Sequence, residues 1–131
     1  MILRWHGHAC FELQSDVTLV IDPHDGRSIG LPPPIASADL ILVSHDHFDH
    51  NQVRTVRGLR SRVIDTVGQH QYQGHGIQGI QAFHDEEEGA KRGSIVMFKF
   101  EMEGISFLHT ADLGHYPTEQ MDLMRGCDLL F

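Results

Sequence analysis

The chain has 131 residues, 40% of them hydrophobic, and a formal net charge of −8. That length bounds one domain with a real core, and the apolar fraction excludes a disordered segment. The acidic balance argues against partners held by broad electrostatics, so neither nucleic acid nor an anionic membrane is expected.

The N-terminal stretch "MILRWHGHACFELQ" places histidines and Glu12 where a signal peptide needs an unbroken apolar run. No apolar run approaches the ~20 residues of a membrane span, and a cytoplasmic protein is expected. "ILRW" (2–5), "CFEL" (10–13) and "TLVID" (18–22) are separated by Gly7 and Ser15-Asp16 and predict an antiparallel meander. "GLPPPIASAD" (30–39) is a surface loop, because three prolines remove donors and fix φ. "LILVS" (40–44) suits a strand buried on both faces. "QVRTVRGL" (52–59) predicts a short helix, with Arg54, Arg57, Arg60 and Arg62 read as a solvated face and not as a nucleic-acid patch.

"RVIDTV" (62–67), "HQYQ" (70–73) and "GIQGIQAF" (76–83) predict further strands. "SIVMFKFEM" (94–102) and "ISFLH" (105–109) flank Glu103-Gly104, a hairpin turn signal. "PTEQMDLM" (117–124) opens on a proline followed by helix formers and predicts a helix. "CDLLF" (127–131) predicts another buried strand. The expected class is sheet-heavy α/β. Cys10 and Cys127 form no CxxC pair and read as small free-thiol core residues, not as nucleophiles.

The chemistry is concentrated in "VSHDHFDHN" (43–51), directly after the buried strand. In an open α/β sheet the carboxyl end of a strand is where sites are built. In an extended segment i and i+2 point the same way, so His45 and His47 can reach one ion together. Asp49 shares that parity; His50 does not unless the chain turns there. Imidazole and carboxylate donors suit Zn²⁺ first, with Mn²⁺ or Fe²⁺ as alternatives. A catalytic zinc needs three protein ligands and an open position. His84 and Asp112 also follow apolar strand runs and are the further candidates. In "HDEEEGAKRG" (84–93), Lys91 and Arg92 could grip an anion, but Glu86 to Glu88 oppose it, and a solvated tip is the preferred reading.

"SHDHFDH" resembles the H-x-H-x-D-H signature of the metallo-β-lactamase superfamily. "GHACFEL…TLVIDP" (7–23) is similar to the opening hairpin of the metal-dependent hydrolases in that superfamily, near the ascorbate-6-phosphate lactonase-like branch. Residues 83–115 resemble the middle of the same subgroup. The resemblance implies that His45, His47 and His84 hold a first metal, Asp49 and His50 a second, and that Asp112 bridges them. It implies that Asp22 orients a metal-bound imidazole from outside and that His8 sits near the pocket. Asp49 or Asp112 would accept a proton from the attacking water.

The family fold is a four-layer αβ/βα sandwich of two similar halves, with a last histidine ligand near the C-terminus. The chain resembles the first half and a little more. The expectation is therefore an incomplete metallo-β-lactamase-like sandwich forming a single partial domain over residues 1–131. The expected function is hydrolysis of a small-molecule ester, lactone or phosphoester by a zinc-activated water, with one or two ions. The alternative is a non-catalytic metal-binding module or inactive fragment that assembles as an oligomer. A homodimer or higher homo-oligomer is expected from the apolar "CDLLF" strand.

Overall fold

The computed structural model describes all residues from Met1 to Phe131. Its contacts divide the chain into two compact units, Met1–Asp65 and Thr66–Phe131. No helix is long and apolar enough to cross a membrane.

The first unit is a five-stranded sheet in the order β1-β2-β3-β4-β5. β1 (Ile2–Trp5), β2 (Phe11–Gln14) and β3 (Thr18–Ile21) form the expected antiparallel meander. β4 (Ala38–Leu42) and β5 (Arg57–Ile64) then add in parallel. Successive strand residues face opposite sides. Leu40, Ile41 and Leu42 are all fully buried, so β4 is covered on both faces as its unbroken apolar run requires. Cys10, Val20, Ala38, Ile41, Val43 and Val56 pack as one cluster of that core. The proline loop before β4 turns at Gly26, which has φ 71° and whose Cβ would fall 2.5 Å from the Leu31 carbonyl oxygen.

The helix expected over 52–59 is not there. A single 3-10 turn spans Val53–Thr55, and β5 begins at Arg57. Val53, Thr55 and Val56 are β-branched and lose side-chain freedom in a helix. The Val56 carbonyl instead accepts from the Ala38 N–H at 2.8 Å, starting the ladder to β4. Arg57, Arg60 and Arg62 thus lie on a strand, not on a helix face, and β5 is an edge of its sheet. Exposed cations on an edge strand discourage pairing with another chain.

The second unit is a sheet in the order β10-β9-β8-β7-β6. β6 (Gly68–Tyr72), β7 (His75–Phe83), β8 (Ser94–Met102) and β9 (Ile105–His109) are antiparallel neighbours. Glu103 and Gly104, at φ 51° and 76°, make the two-residue β8–β9 turn. Ile80, Ala82, Ile95, Met97 and Leu108 form the core of one face, against which Leu113, Met124 and Cys127 pack. A 3-10 turn at Thr118–Gln120 leads into one turn of helix, α1 (Met121–Met124), where a helix was expected. β10 (Leu129–Leu130) pairs parallel to β9. It was expected to be buried, but Leu129 and Leu130 are 40% and 62% exposed. Backbone pairing on one side supplies hydrogen bonds, but it does not cover side chains.

Candidate metal centre

In the first unit the loop after β4 carries His45, His47, Asp49 and His50. The turn that the spacing left open does occur: the His47 carbonyl accepts from both His50 N (2.9 Å) and Asn51 N (3.0 Å). That reversal brings the His50 ring to 4.2 Å from the His45 ring, centroid to centroid, with the His47 ring 4.3 Å from His45. His50 is fully buried and His45 nearly so.

Asp22, at the end of β3, organises this loop. It is fully buried and held at φ 44°, a left-handed conformation that a non-glycine residue keeps only where its surroundings enforce it. Ser44 donates its backbone N–H to Asp22 Oδ1 and its hydroxyl to Oδ2, each at 2.7 Å. His50 Nδ1 donates to the same Oδ2 at 3.0 Å. A hydroxyl has one hydrogen. At the 2.8 Å contact between Ser44 Oγ and His45 Nδ1, the imidazole is therefore the donor. Both His45 and His50 thus keep their hydrogen on Nδ1, so the lone pair of each ring is on Nε2. A histidine that binds a metal through Nε2 is in that state, and an outer carboxylate is a usual way to impose it.

On the other flank, His8 Nε2 lies 3.0 Å from Asp49 Oδ2 and 3.1 Å from His50 Nε2. The donor atoms of His8, Asp49 and His50 all lie within 4.8 Å of one another, close enough to share a cation. Beside His45, a cavity of about 470 Å³ is lined by Val43, Asp46, Asn51, Val53, Val63 and Asp65. Cys10 is no nucleophile: burial, then the negative charge of Asp22, pushes its thiol up to about 12.

In the second unit His84 follows β7, and Asp112 follows β9. Their side chains meet, with His84 Nε2 3.2 Å from Asp112 Oδ2. Ala111 at φ 51° turns the chain into Asp112. Gly114 donates its N–H to the Phe83 carbonyl at 3.0 Å. A Cβ on Gly114 would lie 2.2 Å from the His84 carbonyl carbon, so only glycine allows the two loops this close.

Three supporting residues escaped the sequence reading. Ser44 had a legible signal, a hydroxyl between a buried strand and a histidine. Gly114 and Asp85 had none. Asp85 accepts the backbone N–H groups of Glu87, Gly89, Lys91 and Arg92 at 2.7–3.1 Å. Loss of solvent alone would raise its pKa, but those four donors together hold the carboxyl below its ordinary range. The loop after His84 is therefore wound around one carboxylate, and Lys91 Nζ is paired to Glu87 at 2.5 Å.

Residues 2–131 match the Beta-lactamase superfamily domain, and the chain belongs to that family. It is 29% identical to a protein named UPF0173 metal-dependent hydrolase from Methanoculleus marisnigri, over 95% of this chain and 65% of that protein. A candidate Zn-dependent hydrolase of the metallo-beta-lactamase superfamily from Thermotoga maritima has 35% identity and a TM-score of 0.76, covering 98% of this chain and 58% of that one. A candidate metal-dependent hydrolase from Parabacteroides distasonis, 14% identical with a TM-score of 0.77, shares the fold. The chain spans just under two thirds of the curated relatives it matches.

Proposed function

We propose that this chain carries the metal centre of a hydrolase that acts on a small ester, lactone or phosphoester through one or two divalent ions, zinc first. The observation that carries the reading is the Asp22–Ser44 network, which fixes the hydrogens of two buried imidazoles, His45 and His50, on Nδ1. Those donors, with Asp49, fit zinc; Mn²⁺ and Fe²⁺ take the same ligand types. His45, His47 and His84 are the proposed ligands of one ion, Asp49 and His50 those of a second, and Asp112 the bridge, as the resemblance to the superfamily implies. A bound ion acidifies water to near neutral pH and polarises the substrate.

The protein's own part is to position and to exchange protons. Asp22 and Ser44 fix ring orientation and tautomer. Asp49 and Asp112 are the proposed acceptors of a proton from the attacking water. The cavity beside His45 is within the size range of small-molecule sites and is the proposed substrate entrance. The names of the matched hydrolases support the reaction class.

Elemental analysis of extensively dialysed protein, followed by generic ester, lactone and phosphodiester substrates, tests the reading. At least one transition metal per chain and metal-dependent turnover are expected. Protein that is metal-free and also fails to take up added zinc would overturn it. A second reading, a metal-binding module that works only as an assembly with another copy, is favoured by the exposed leucines of β10. Metal uptake without turnover would select it.

A further inference from the structure

We infer that His8 is itself a metal ligand, completing with Asp49 and His50 a three-donor site built wholly from the first 50 residues. The inference rests on the metal-centre reading above and adds to it a donor from the β1–β2 turn. Three observations carry it.

The first is geometry. The separations within the triad are 3.0 Å (His8 Nε2 to Asp49 Oδ2), 3.1 Å (His8 Nε2 to His50 Nε2) and 3.9 Å (His50 Nε2 to Asp49 Oδ2). Ligands about 2.0–2.1 Å from a tetrahedral ion are about 3.3 Å apart, and the three edges bracket that value. The second is the arrangement of hydrogens. Asp22 holds the His50 hydrogen on Nδ1, and the Asp49 carboxylate brings none. A cation among the three atoms would therefore replace at most one hydrogen, the one on His8 Nε2, which imidazole can carry on Nδ1 instead.

The third is the backbone. Gly7 and His8 both have positive φ, 92° and 51°, in a turn closed by Cys10 N–H to the Gly7 carbonyl at 3.0 Å. Trp5 Nε1 donates to the His8 carbonyl at 2.9 Å, fixing the peptide that carries the ring. Glycine would fit position 8 without strain. A histidine held there instead, with its ring turned onto two other donors, marks a side chain the turn is built to present.

The test uses the full-length chain stripped of metal and titrated with Co²⁺, in a His47→Ala/His84→Ala background that removes the other proposed ion. Visible d–d absorption reports affinity and coordination. Paramagnetically shifted exchangeable imidazole N–H signals report how many histidines coordinate. Replacing His8 by Gln should weaken Co²⁺ binding about tenfold or more and remove one shifted N–H signal. His8→Ala should do the same, with circular dichroism and thermal melting confirming that the fold survives. Unchanged affinity and an unchanged signal count in both variants would overturn the role of His8 alone. No Co²⁺ uptake even by the unsubstituted chain would overturn the metal-centre reading and this inference with it.

Discussion

Asp112 and Asp122 are ten residues apart and differ only in what surrounds them. Asp112 touches His84, whereas Asp122 sits on α1 with its side chain almost fully in water. Asp112→Asn should weaken metal binding by at least the ~10–100-fold that losing a group behind a ligand typically costs, and Asp122→Asn should leave it unchanged. Calorimetric zinc titration separates the two, and equal small effects would return "HTADLGH" to the status of a plain loop. Burial sets a second single-residue expectation. With its thiol pushed up to about 12, folded Cys10 holds about one part in 10⁴ thiolate at pH 8. Iodoacetamide at that pH should label the half-buried Cys127 and spare Cys10 until denaturant is added. Mass spectrometry finding both labelled at one rate would show that the β2 core admits reagent.

Strands with a clean pattern were legible at the level of elements. The β8–β9 hairpin was expected with its observed bounds, because β-branched and aromatic runs flank a turn pair that tolerates positive φ. β4 was legible from its apolar run. The helix expected at 52–59 failed because three β-branched residues and an available strand edge outweighed apparent helical spacing. The cluster was legible as residue types, through His45, His47, Asp49 and His50 after the buried strand, and Asp22, singled out by the resemblance, lies against His50. The supports of the site were not legible, because a glycine needed for close approach and a carboxylate wrapped by its own loop leave no periodic trace.

That loop yields a pH prediction with a definite sign. The folded pKa of Asp85 is depressed, so its contribution is fully present above the ordinary carboxylate value of about 3.9 and is lost as pH falls through the lower folded value. Asp85→Ala should lower the melting temperature at pH 7, and the gap to the unsubstituted protein should close only below pH ~4. A gap that stays constant down to pH 3 would assign the loss to packing and not to the carboxylate.

Across the whole molecule the apolar surface is uneven. Ile2, Leu3 and Trp5 on β1 are 50%, 41% and 68% exposed, and Leu129 and Leu130 on β10 are likewise open. Exposed apolar side chains on an edge strand are surface that a partner can cover. A homodimer or higher oligomer is the proposed state, since a copy of the same strand offers a matching apolar face through a two-fold contact. Sedimentation equilibrium at micromolar concentration should return at least twice the chain mass. A well-behaved monomer would show that these leucines are tolerated in water.

The order of strands in the first sheet also has a meaning in time. β1 to β5 pair only among themselves, and His8, Asp22, Ser44, His45, Asp49 and His50 all belong to that unit. A ribosome adding about 5–20 residues per second needs roughly 3–13 s more to make residues 66–131. During that interval the growing chain already contains every donor of the His8–Asp49–His50 triad and the carboxylate that orients it. On the proposed metal-centre reading, loading can begin while the polypeptide is still being made, and the metal supply at that moment, not only the affinity of the finished protein, bears on which ion it carries.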